Sequence, residues 1–191
     1  MRKVFKIILA IFAVLIVLFV AFAAVIFLDV AAYTATGSQT LMPVGASVGT
    51  ALVAYDPGLS GAAKGVAEKV AADLQTANFT VTLAGIKSSA ASHTSNYSVI
   101  VAGGPVYAGA LTGSVKDFLS NLRTEQDIKI GVFGSGQGAT TPEDVSAIKN
   151  STSVLHSNGS LANAVVVKIG QGEDLNARAQ DFVNQLVGNG A

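Results

Sequence analysis

Apolar positions along the chain follow two different patterns. Residues 7–28 form 22 consecutive positions without a charge. As an α-helix they would extend about 33 Å, enough to cross a bilayer core of about 30 Å. From residue 48 onward the apolar residues instead come in short runs, at 51–55, 79–84, 97–102, 128–133 and 164–169. Helically spaced apolar residues follow several of these runs: Val66, Val70 and Leu74; Val115, Phe118, Leu119 and Leu122; Leu175, Phe182 and Leu186. Short runs read as strands and the spaced positions as amphipathic helices, so the region predicts alternating strands and helices. Such alternation implies a parallel sheet with right-handed crossovers and helices on both faces. The run at 97–102 is largely apolar on both alternating faces and should be the central strand.

Punctuation agrees with that pattern. Thr141-Pro142-Glu143-Asp144 joins an N-cap hydroxyl, a proline at the first helical position and acids in the first turn, so a helix starts there. The last helix starts near Asp174 and ends at Gly188, a C-cap residue. Residues 31–47 show no sustained period and are rich in small and polar side chains, the pattern of a tether. The organisation expected is a basic tail at 1–6, a transmembrane anchor at 7–28, a linker at 29–47 and one α/β domain at 48–191.

Charge orients the anchor. Arg2, Lys3 and Lys6 precede the span, whereas Asp29 follows it and the next basic residue is Lys64. The positive-inside bias places the N-terminus in the cytoplasm and the domain outside a cell membrane crossed once. The sequons at Asn78, Asn96, Asn150 and Asn158 suit an outward-facing domain. The domain at 48–191 carries 9 Lys and Arg against 11 Asp and Glu, a balance that argues against a nucleic-acid surface. With no cysteine, disulfides, thiolate metal sites and cysteine nucleophiles are excluded.

Candidate chemistry lies in the loops after the strands. Those after strands 1, 3, 4 and 5 are rich in glycine, at Gly58 and Gly61, at Gly103, Gly104 and Gly109, at Gly134, Gly136 and Gly138, and at Gly170 and Gly172. The loop after strand 2 holds only Gly85. In a parallel sheet these loops share one edge, where open α/β sheets bind ligands. After the first strand, Asp56-Pro57-Gly58 leads to Ser60, which suits the helix N-cap, and to Gly61, Ala62 and Ala63. These small residues let backbone N–H groups converge on an anion before the first helical turn. Asp56 is either a turn former or a group near the ligand.

Three stretches, YDPGLSGAAKGVAEKVA, VIVAGGPVYAGALTGSVKDFL and IGVFGSGQG, together resemble the flavodoxin-like family over roughly residues 49–187. The resemblance implies a three-layer α/β sandwich with a five-stranded parallel sheet of order 2-1-3-4-5, and a noncovalently bound FMN. On that resemblance Ser60, Gly61, Ala62, Ala63 and Lys64 would surround the phosphate. Pro105, Tyr107, Ala108 and Gly109 would border the flavin ring, with Tyr107 stacking on it. Gly134, Ser135, Gly136 and Gln137 would close the other side. The flavin carries the chemistry, so no catalytic side chain is implied. The family usually has threonine or a similar hydroxyl residue where this chain has Ala62 and Ala63, which removes a hydrogen bond to a charged oxygen of about 1.5–3 kcal/mol. The third loop also has no tryptophan or tyrosine for a second stacking ring.

The function implied is electron transfer between a membrane-associated donor, such as a quinone-type carrier, and another protein. Two alternatives remain at this level: an interaction module that keeps the fold without the cofactor, and a quinone-linked oxidase of the protoporphyrinogen type. Other patterns are weaker. Ser60, Asp144 and His156 occur in hydrolase order, but Ser60 lies five residues beyond Tyr55, too far for a nucleophile turned at the strand end. The G-x-G-x-x-A match at 134–139 lacks the acid about 20 residues later that a dinucleotide needs. His93 and His156 have no local carboxylates at metal-ligand spacing.

Overall fold

The computed structural model describes residues 2–32, 35–122, 128–153 and 163–188. Helix α1, Arg2–Ala32, includes the expected apolar span, and Val4–Leu28 is long and apolar enough to cross a membrane by length and composition. The helix begins at Arg2, so the basic segment that precedes the apolar span is helical from there on.

Strands β1 (Ser38–Leu41), β2 (Gly49–Tyr55), β3 (Phe79–Gly85), β4 (Val99–Tyr107), β5 (Ala110–Leu111), β6 (Lys129–Gly136) and β7 (Val165–Gly170) form one sheet. Their order is β1-β3-β2-β4-β6-β7, with β5 attached to β4. The five parallel strands keep the expected 2-1-3-4-5 arrangement, with the third central. Seven strands rather than five are present because two short antiparallel ones join them.

The first addition is β1, which falls inside the stretch expected to be tether. Four residues are too few to show a period, and its partner is distant in sequence: Ser38 pairs with Ala84 and Leu41 with Val81. The second is β5. Glycines and a proline at 103–105 look like strand breakers, yet β4 runs through them to Tyr107. Proline is tolerated there because β2 ends at Tyr55, opposite Gly103, and makes no ladder with Pro105. The chain then reverses through Ala108 and Gly109, at φ 49° and 79°, the paired left-handed residues of a two-residue hairpin turn.

Helices α2 (Ala62–Thr76) and α5 (Leu175–Val187) cover one face of the sheet. Val53, Val101 and Phe133 there meet Val66, Val70 and Phe182. Helices α3 (Gly113–Ser120) and α4 (Pro142–Ser153) cover the other face, where Leu52, Ile100 and Val132 meet Val115, Leu119 and Ile148. Fully burying a side chain of this size contributes about 1.5–3 kcal/mol, so β2 and β4 lie at the centre of both layers. Thr141 and Asp144 exchange hydrogen bonds as a capping box at the start of α4. Asp174 caps α5 through the amides of Asn176 and Ala177.

Candidate functional site

Because β2, β4, β6 and β7 are parallel, the loops after them gather at the carboxyl edge of the sheet. After β2 the backbone turns through Asp56, whose carboxylate accepts hydrogen bonds from the Gly58 amide and Thr112 Oγ1, both at 3.0 Å, and from Ser114 Oγ. Asp56 is fully buried. It is therefore a turn former that also fastens the loop after β2 to the start of α3.

The helix cap differs from expectation. Gly61, at φ 71°, occupies the N-cap, and Ser60 stands one residue earlier with its Oγ accepting from the Ala62 amide at 3.3 Å. Left-handed backbone at this position suits glycine and leaves the loop crest open, since a Cβ on Gly61 would meet nothing within 4 Å. The amides of Ser60, Gly61 and Ala63 have no acceptor among the described residues. The Ser60 hydroxyl, having accepted from Ala62, keeps its proton to donate. Lys64 leans along α2 to Glu68 at 3.7 Å.

The ring-side candidates separate into two sets. Tyr107, Ala108 and Gly109 join Gly136 and Gln137 around a cleft of about 410 Å³, which Ile26, Val106, Asp144 and Lys168 also line. Pro105 does not line it; it packs beneath Gly58, linking the loop after β2 to the end of β4. Gly134 and Ser135 are buried within β6. At Gly134 a Cβ would strike Val106 and Ile148, so that residue serves packing between β6 and α4.

Sequence reading missed Lys168 and the role of Asp144. Lys168 Nζ, in a residue only 6% exposed, donates to Asp144 Oδ2 at 2.7 Å and to the Gln137 carbonyl at 3.2 Å. The Lys168 bond is the main cause that holds the Asp144 carboxyl below its usual value, with the Thr141 amide adding to it. Glu173 performs a similar task, accepting from the Gly170 amide at 2.7 Å and from Thr140 Oγ1 at 2.8 Å. Burial pulls its carboxyl upward, but these bonds, the Thr140 amide and the Arg178 charge outweigh it and the net shift is downward. A lysine inside the apolar run AVVVKI was the available signal.

Two other patterns lead away from this edge. His93 is exposed, with Nδ1 3.0 Å from the Ser89 carbonyl oxygen, and His156 and Asn158 lie outside the described residues. Among the described residues no group of three or more His, Cys, Asp or Glu could hold a metal ion. A separate cleft of about 320 Å³, between Ile86–Ser92 and α3, contains none of the glycine-loop residues.

No protein-family model matches the chain, and no curated protein matches it by sequence. Solved structures do match it in shape. Oxidised Flavodoxin 2 from Bacillus cereus is 19% identical with a TM-score of 0.54, over 73% of this chain and 99% of its own. The flavodoxin of Streptococcus pneumoniae TIGR4 is 20% identical with a TM-score of 0.56, over 73% of this chain and 98% of its own. A short-chain flavodoxin associated with a non-canonical PDU bacterial microcompartment is 22% identical with a TM-score of 0.54, over 74% and 98%. At such identities the likeness is one of architecture, and with the 2-1-3-4-5 order of the parallel strands it establishes that this chain has the flavodoxin-like fold.

Proposed function

We propose that this chain is a membrane-tethered, flavodoxin-like electron carrier that holds FMN noncovalently at the carboxyl edge of its sheet. The observation that carries the reading is the donor set after β2: the amides of Ser60, Gly61 and Ala63 without protein acceptors, beside the Ser60 hydroxyl. Amides at a helix N-terminus suit a phosphate, and the helix dipole adds about 0.3–2 kcal/mol. These residues fit the phosphate of a mononucleotide, with Lys64 adding a nearby cation. When bound, FMN supplies one- and two-electron redox chemistry that no side chain here provides.

The remaining residues orient and enclose. Tyr107 offers an aromatic face at the hairpin tip, held there by the Ala108–Gly109 turn. Gly109 borders the same cleft, and Gly136 and Gln137 close it from β6, with Gly134 and Ser135 forming the strand that carries them, while Pro105 supports the loop after β2 from beneath Gly58. The Lys168 charge is matched by Asp144, so it steadies the Gln137 carbonyl instead of offering a free cation. The apolar helix α1 serves as a single-pass anchor, with the N-terminus cytoplasmic and the domain extracytoplasmic. Electrons pass to or from a redox protein or a quinone-type carrier.

Titrating FMN into the full chain in detergent tests the reading through quenching of flavin fluorescence. One-to-one saturable quenching is expected; unaltered emission across the titration removes the proposal. Ala62 and Ala63, which lack the hydroxyls common in the family's phosphate loop, favour a second reading, an interaction module without cofactor. Absence of binding in the same titration would select it.

A further inference from the structure

We propose that the carboxyl edge of the sheet faces the bilayer that holds α1, so that the phospholipid surface is the partner of the edge carrying the candidate site. This inference rests on the reading of α1 as an anchor. It does not follow from that reading, because an anchored domain could present either edge of its sheet to the membrane.

The register of β1 decides between the edges. The chain leaving α1 joins the sheet at the carboxyl end of β3, not at its beginning. The Gly85 amide donates to the Gly37 carbonyl at 2.7 Å and the Lys87 amide to the Ala35 carbonyl at 2.9 Å. From there β1 runs antiparallel to β3, away from α1, pairing Ser38 with Ala84 and Leu41 with Val81. Gly85 permits this approach, since a Cβ on it would lie 2.5 Å from the carbonyl carbon of Ala35.

The leash is short. Ala32 ends α1 and Ala35 is already bonded to the domain, so the connection spans at most about 11 Å. The apolar span ends at Leu28, which adds about 6 Å of helix. The amino edge of the sheet lies about 20 Å farther from the attachment, the length of β3. With this short leash, and with α1 also in contact with α3, the carboxyl edge stays within reach of the headgroups, and the amino edge comes there only if the domain lies over.

One side chain agrees: Ile26, near the end of the apolar span, lines the same cleft as Tyr107 and Gly109. Exposed large apolar side chains occur at both edges, Leu59 at the carboxyl edge and Met42, Val44 and Val48 at the amino edge, so the attachment geometry and not surface apolarity carries the orientation. A bilayer-facing site would meet a quinone-type carrier without that carrier leaving the lipid.

The chain has no cysteine, so single labels can be placed on the full protein reconstituted in phosphatidylcholine vesicles. Leu59→Cys and Lys87→Cys report the carboxyl edge, Val44→Cys and Val48→Cys the amino edge. Each carries a fluorophore, read against lipids bearing a headgroup-region quencher. Emission should be lost at 59 and 87 and retained at 44 and 48. Loss at 44 and 48 instead, or equal loss at all four, overturns the orientation while leaving the anchor standing. Failure of the protein to float with the vesicles removes the anchor and the orientation together. FMN binding is scored separately, by the titration above.

Discussion

The two halves of the carboxyl edge use their polar groups in opposite ways. On the β6 and β7 side, Thr140, Asp144, Lys168, Glu173 and Arg178 bond to one another and to nearby backbone. That half satisfies most of its polar groups internally, the exception being Arg178 Nε, buried 3.7 Å from Glu173 Oε2 without a hydrogen bond. On the β2 side, Asp56 secures the base of the loop from below, yet the Ser60, Gly61 and Ala63 amides at its crest have no acceptor among the described residues. Donors left unused at the end of a helix, above a base held by a buried carboxylate, are what an anion site requires. The comparison teaches that one sheet edge can combine a half whose side chains mostly bond one another with a half that leaves backbone donors unused.

Removing the base of the open half should have the largest effect. Asp56→Ala leaves the Gly58 amide and one proton of the mutually bonded Thr112 and Ser114 hydroxyls without an acceptor in the interior, and should lower stability by about 3 kcal/mol, read by urea denaturation. A loss below about 1 kcal/mol would mean that Asp56 does not secure the loop. At the crest, Ser60→Ala should weaken FMN binding by roughly 10- to 100-fold, the worth of one hydrogen bond to a charged oxygen, with the urea midpoint nearly unchanged. Unaltered affinity would place the phosphate elsewhere.

Away from both halves, Gly85→Ala should cost about 1–3 kcal/mol by forcing β1 off the sheet edge, read as faster proteolysis near residue 37. Adding a hydroxyl at the open crest, Ala62→Thr, should tighten FMN by about 10-fold; weaker binding would show that the side chain does not point at the phosphate. The smallest effect belongs to the closed half. Glu173 has a folded value below its usual one, so its contribution is present above about pH 4.3 and is lost as pH falls through that range and below. Thermal melts from neutral to acid pH should show Glu173→Gln less stable at pH 7 and the two curves converging in acid. Parallel curves would exclude Glu173 as an acid-sensitive tie.

Much of the architecture could be read from local pattern. The central strand, the start of α4 at Pro142 and the Asp174 cap each rest on residues within a few positions of one another. What escaped depended on distant partners. Ser38–Leu41 becomes strand only because β3 offers an open edge about 40 residues later. Gly85 looked like the weak member of the glycine pattern, but it clears space for Ala35. Ser60 has the side chain of an N-cap, yet the left-handed turn needed at the loop crest selects Gly61.

By itself the sequence determined the alternation of strands and helices, the apolar N-terminal span and the set of loops that share one edge, because each follows from hydrophobic periodicity and the sheet's polarity. Only the tertiary structure decided which donors remain unpaired, which carboxylates are locked, and at which edge the chain from α1 meets the sheet. Those depend on contacts between residues tens of positions apart, whose pairing is set by the register of the packed sheet and leaves no local period to read.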